Sequence, residues 1–203
     1  MIGWTDAEFA DRRLMAPCGL YCGTCGVYIA TRDGNLKFRE ILARLYGSRP
    51  EETACRGCMQ EEPAACIYGY CRRCKVRECV RRRGLYSCHS CPEHPCLRLR
   101  LFPLSTGRRV IRRALPRWRA LVAELGDEVG SVAWARGECE RYHCPSCGEP
   151  LFRGAIRCRR CGLEAADRLD GRIRWIDGVA MTLWRAFDEV QRWVKDRSTS
   201  SQR

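Results

Sequence analysis

Lysine is nearly missing from this chain. Lys37, Lys75 and Lys195 are the only three among 37 basic residues. Histidine is as scarce, with His89, His94 and His143 alone. No apolar run approaches the roughly 18 residues that a membrane-spanning helix needs. Met1 to Met15 holds Asp6, Glu8, Asp11, Arg12 and Arg13 and no apolar segment, so it does not read as a secretory signal. No P-loop, no G-x-G-x-x-G and no ordered serine–histidine–acid motif occurs, and the carboxylates show no paired-acid pattern. These absences leave no visible catalytic constellation, and enzyme activity is the less favoured expectation. With 203 residues and 45% hydrophobic content, the chain can still bury a core.

Cysteine is what the chain has in excess, with 17 residues. Cysteine-rich chains are either disulfide scaffolds or metal binders. Close C-x2-C pairs aim two sulfurs at one point outside a tight turn, which suits a metal better than distant cross-links. A metal-binding, cytoplasmic protein is therefore expected. The formal charge of +13 resembles a nucleic-acid signature. A divalent ion on four thiolates carries −2, so four such sites would leave about +5. Arg72, Arg73 and Lys75, threaded between cysteines, fit local compensation of anionic metal sites.

The expected class is a small metal-stabilised α+β protein: an irregular cysteine-rich knuckle domain, a helical connector and a zinc ribbon. The boundaries are an N-terminal helix in 1–16, a cysteine-rich region in 17–104, a connector in 105–140, a ribbon in 141–166, an amphipathic helix in 171–196 and a disordered tail in 197–203. Thr5 and Glu8 read as a capping box opening a helix over Thr5–Leu14. Asn35–Tyr46 is a second helix, with Leu36, Ile41, Leu42 and Leu45 on one face and Gly47 as its stop. Arg108–Leu125 carries Ile111, Leu115, Trp118, Val122 and Leu125 as a stripe, and Pro116 is expected to kink the helix or start a second one. A further helix covers Glu128–Arg136. In the last helix, Trp175, Trp184 and Trp193 recur every nine residues and alternate sides, as for packing on both faces or docking on a partner or membrane surface.

The sharpest chemical signal is Cys144-Pro-Ser-Cys147-Gly148 followed by Cys158-Arg-Arg-Cys161-Gly162. This is the spacing of a zinc ribbon, with each glycine closing a knuckle. Phe152 and Ile156 would form its small core, and Arg153-Gly154-Ala155 would turn its hairpin. Four thiolates leave no open position, so such a site is structural. It is expected to hold metal independently of the N-terminal region, with Cys139 uninvolved.

The N-terminal cysteines are Cys18, Cys22, Cys25, Cys55, Cys58, Cys66, Cys71, Cys74, Cys79, Cys88, Cys91 and Cys96. Twelve thiols would fill three four-sulfur sites, though spacing leaves their pairing open and Cys66 lies outside any pair. Cys71-x2-Cys74-x4-Cys79 recurs 17 residues later as Cys88-x2-Cys91-x4-Cys96. Zinc is the expected metal, with an iron–sulfur cluster as the alternative, because both accept tetrahedral sulfur. Cys18-x3-Cys22-x2-Cys25 has the spacing of radical S-adenosylmethionine enzymes, but the neighbouring sequence is filled with other cysteines rather than with the elements of a barrel.

Ala16-Pro-Cys-Gly-Leu-Tyr-Cys-Gly-Thr-Cys25, Tyr28-Ile-Ala-Thr-Arg-Asp-Gly34, Cys55-Arg-Gly-Cys58, Cys71-Arg-Arg-Cys-Lys-Val-Arg-Glu-Cys79 and Ser87-Cys-His-Ser-Cys-Pro-Glu-His-Pro-Cys96 resemble, as an ordered set, a cysteine-rich prokaryotic family known as domain of unknown function 3795. The resemblance spans about Ala16 to Leu104 and implies metal binding by the matching cysteines, with a ribbon-bearing extension beyond. It implies no activity, and Cys66 matches no position of the pattern. A binding or adaptor module with a protein partner is the leading expectation. Nucleic-acid binding through Arg108, Arg109, Arg112 and Arg113 is a further one.

Overall fold

The computed structural model describes residues 3–61, 66–102 and 105–164, with five isolated helical positions, Val179, Thr182, Leu183, Ala186 and Val190. Apart from those five, the expected helix over 171–196 and the tail 197–203 lie outside the described residues. Among the described residues the chain is mostly helical, and its strand pairing is limited to four isolated bridges. No described helix is long and apolar enough to cross a membrane.

Helix α1, Asp6–Ala10, opens on the capping box: the Glu8 N–H donates to Thr5 Oγ1 and the Thr5 N–H to Glu8 Oε2. The expected single helix to Leu14 breaks at Asp11, whose carboxylate takes the Arg13 N–H and caps a separate 3-10 turn. Helices α2 (Gly26–Arg32) and α3 (Leu36–Tyr46) follow, the latter capped by the Asn35 side chain and closed by Gly47. In α3, Leu42 and Ala43 are buried, while Leu36, Ile41 and Leu45 face solvent. The expected stripe is therefore split, because α3 packs against α2 through the flank carrying Leu42.

Short helices α4 (Gly69–Arg72), α5 (Lys75–Arg82) and α6 (Leu97–Arg100) thread the cysteine-rich region. The core is supplied by the hairpin of α7 (Ser105–Leu125) and α8 (Asp127–Arg141). Helix α7 runs through Pro116 without ending. Proline inside a helix costs about 3 kcal/mol. Here it sits on the solvent side, and fully buried Ala114, Leu115 and Trp118 hold the helix on both sides of it. Trp118 and Trp134 stack across the hairpin at 4.0 Å and 5°, both with 0% exposure. Such pairs contribute about 0.5–1.5 kcal/mol beyond their area. The Trp118 Nε1–H donates to Ser131 Oγ at 2.9 Å. The helices cross so closely that a Cβ on Gly130 would lie 2.5 Å from the Leu121 carbonyl oxygen.

The hairpin also sets the cysteine loops. Arg119 donates to the carbonyls of His89 and Cys91 at 2.7 and 3.1 Å. The His89 ring lies on Trp118 at 4.3 Å. The Cys88 N–H donates to the Pro17 carbonyl at 2.9 Å, joining two cysteine turns that are remote in sequence.

Candidate metal centres

The segment expected to be a ribbon begins where α8 ends and carries a four-cysteine cluster. Its two knuckles repeat one backbone pattern. The Cys144 N–H donates to Glu149 O and the Gly148 N–H to Cys144 O, each at 2.9 Å. The Cys158 N–H donates to Leu163 O at 2.8 Å and the Gly162 N–H to Cys158 O at 2.9 Å. Gly148 and Gly162 sit at φ 68° and 74°, which a side chain resists. The knuckles bring Cys144 Sγ within 3.5 Å of Cys161 Sγ, and Cys147 Sγ within 3.7 Å of Cys158 Sγ. All four ligand atoms lie within 4.8 Å of one another.

Tetrahedral bonds of about 2.3 Å place thiolate sulfurs about 3.8 Å apart, so this set fits one zinc-sized ion. The Cys147 and Ser146 N–H groups hold the Cys144 thiol down, to about 6, so a thiolate is readily formed there. Cys139 does not join the set. It is buried on α8, and burial raises its thiol.

The ribbon core differs from expectation. Leu151 and Ala155 are buried with Tyr142, and Phe152 is half-buried, but Ile156 is 65% exposed. The bridges pair His143 with Pro150 and Arg157 with Glu164, so each knuckle closes on its own flank. The turn at 152–155 is instead committed to the N-terminal region. The Arg153 N–H donates to Thr24 O at 2.7 Å, and Phe152 packs on Phe38 with rings 5.1 Å apart. Burial works against the Arg153 charge, but Cys25, Tyr142, Cys22 and Cys18 outweigh it and raise its pKa.

None of the 17 cysteines is in a disulfide. Among the N-terminal twelve, Cys18, Cys22, Cys25, Cys55, Cys58, Cys71 and Cys74 lie near enough to act on one another's ionisation, and the coupling runs on to Cys88, which raises Cys18 and is itself raised by Cys74. The Cys58 N–H donates to Cys22 Sγ at 3.3 Å. Cys58 and Cys71 share a hydrogen bond that raises the first thiol and lowers the second. Burial raises Cys22 strongly and Cys55 to about 12. Desolvated thiols of this kind ionise only beside a cation.

Cys79, Cys88, Cys91 and Cys96 line a second place, a cavity of about 210 Å³. Burial lifts Cys88 to about 12. Among the described residues, Cys66 is held through its carbonyl, which accepts from the Arg56 N–H at 2.7 Å, and it enters neither set.

The structure also assembles a group that the sequence order hides. His89 Nδ1 meets Ser87 Oγ, and its Nε2 lies 3.1 Å from Asp127 Oδ1. Ser87 is fully buried and takes the His89 N–H, while Asp127 also holds Arg12 at 2.7 Å. The array joins the Cys88–Cys91 turn to the start of α8, and its serine is closed to any substrate. Asp127 stands 38 residues from His89, so no local motif reports it.

The four arginines proposed for phosphates do not share one free face. Arg113 binds Glu138 through both oxygens at 2.6 and 2.9 Å, and Glu138 is 2% exposed. Arg108 donates to Phe102 O at 2.5 Å. Arg109 is half-buried, and Arg112 is exposed.

Residues 14–101 match the model of a family described as Protein of unknown function (DUF3795). The match covers the cysteine-rich region whose motifs resemble that family, and it stops before the ribbon. No curated protein and no solved structure matches the chain.

Proposed function

Taking residues 14–101 as a domain of that family, we propose that the protein is a zinc-binding module whose ribbon metal is structural and whose surface serves a partner rather than a reaction. The convergence of Cys144, Cys147, Cys158 and Cys161 within 4.8 Å carries this reading. Four thiolates saturate zinc and leave it no position for water or substrate. In this reading the ion holds the two knuckles together, because Tyr142, Leu151 and Ala155 are too small a core to do so alone. With the knuckles closed, the 152–155 turn is presented to Thr24 and Phe38. The chain's own groups support the thiolates: backbone N–H groups at Cys144, and the Arg159 guanidinium bridging the knuckles to Glu149 at 2.6 Å. Elemental analysis of the purified full chain tests the proposal. Cys144→Ser is expected to lose one zinc per chain, and an unchanged zinc content would overturn the assignment.

A further inference from the structure

The two four-cysteine sets differ in a way that bears on what each holds. Among the described residues, the ribbon four are the group whose ligand atoms all converge within 4.8 Å. Cys79, Cys88, Cys91 and Cys96 surround a cavity of about 210 Å³ without converging in that way. A single tetrahedral ion pulls its thiolates to about 3.8 Å from one another. A cluster with several metal corners binds its thiolates at separate atoms, so they stand apart around a space that holds inorganic sulfide as well.

We propose that Cys79, Cys88, Cys91 and Cys96 ligate an iron–sulfur cluster in the cavity between α5, the 85–96 loop and the start of α6. The inference deepens the metal-binding reading of the chain and does not depend on the ribbon. Three elements supply the ligands: Cys79 from α5, Cys88 and Cys91 from a turn pinned by Arg119, and Cys96 from the cap of α6. Val76, Val80, Leu85 and Leu99 give the cavity apolar walls that keep water from the sulfide. A [4Fe–4S] core of +2 on four thiolates carries −2, and the charged residues lining the cavity are Arg83 and Arg98 with Glu93, which pairs with Arg83, so the lining is net positive. Arg83 Nη1 already donates to Cys91 Sγ at 3.4 Å, the kind of hydrogen bond that tunes a cluster.

The experiment reconstitutes the full chain without oxygen, using equal ferrous and ferric iron with sulfide. Two of each iron and four sulfides give a +2 core, and the four thiols release their protons to solvent. The wild-type chain is expected to gain broad absorption near 400 nm. Cys88→Ser/Cys91→Ser is expected to lose two to four irons, as many acid-labile sulfides and the matching share of that absorption, while retaining its ribbon zinc. Equal iron and sulfide in both proteins, or loss of a zinc instead, would overturn the assignment. If the double variant does not fold, Arg83→Gln in the full chain decides. It should keep the iron and shift the paramagnetic spectrum of the dithionite-reduced protein, whereas an unshifted spectrum places any cluster outside this cavity and no acid-labile sulfide in the wild type removes it; either overturns the assignment. Because the Cys144→Ser test reads zinc and this one reads iron and sulfide, either reading can fail alone.

Discussion

The ribbon and the cysteine-rich region use the same side chain in opposite ways. In the ribbon, four sulfurs within 18 residues of sequence close on one point through two identical knuckles. In the N-terminal region the cysteines come from turns and helices far apart in sequence, and the α7–α8 hairpin holds one of those turns, Cys88–Cys91, through Arg119 and Trp118. On the proposed reading, the first site needs its metal in order to fold. The second rests on a stacked tryptophan pair, with Arg119 and His89 transmitting that support to the Cys88–Cys91 turn. If both hold metal as proposed, the difference separates folding driven by a metal from a site that a core prearranges.

The largest effect should come from removing a ribbon ligand. Cys158→Ser forfeits a structural site whose binding free energy is on the order of 10 kcal/mol. Hydrogen exchange should then show the Arg153 amide, bonded to Thr24 O, losing its protection, while amides within α7 and α8 keep theirs. Loss of protection throughout would break the comparison and make the two regions one cooperative unit.

Trp118→Ala attacks the other side of the contrast. Truncating a fully buried tryptophan costs about 3–5 kcal/mol. The urea midpoint should drop accordingly, and thiol labelling should report faster reaction at Cys88 and Cys91, whose turn rests on this ring. Ribbon zinc should remain. Gly130→Ala is a smaller test of the same hairpin. A methyl placed 2.5 Å from the Leu121 carbonyl must push the helices apart, for a cost of about 1–3 kcal/mol in thermal unfolding.

The smallest effect should be Thr5→Ala. Loss of an N-cap costs about 1 kcal/mol. Glu8 would keep its bonds from Tyr28 and Arg32 at 2.9 and 3.0 Å, so the loss should be confined to fraying of α1. A larger fall in melting temperature would mean that α1 anchors the cysteine loops more strongly than its contacts imply.

By itself the sequence determined what depends on near neighbours. The 144/147/158/161 cysteine cluster, the Thr5–Glu8 capping box, the Asn35 cap with its Gly47 stop, and the buried Ile111, Leu115 and Trp118 of α7 all follow from residues a few positions apart, whereas Leu125, expected on the same stripe, is 42% exposed. Backbone geometry translates such spacings directly into shared turns and faces. Tertiary structure decided the rest. Spacing had assigned Ile156 to the ribbon core and Leu36, Ile41 and Leu45 to one buried face, but packing partners placed all four in solvent. It placed Cys79, Cys88, Cys91 and Cys96 around one cavity, joined Ser87 and His89 to Asp127, and turned Arg113 inward to Glu138. The last two depend on segments tens of residues apart meeting at the α7–α8 hairpin. A C-x2-C motif specifies a turn, whereas the place of the Cys88–Cys91 turn is set by Arg119 and by His89 lying on the buried Trp118.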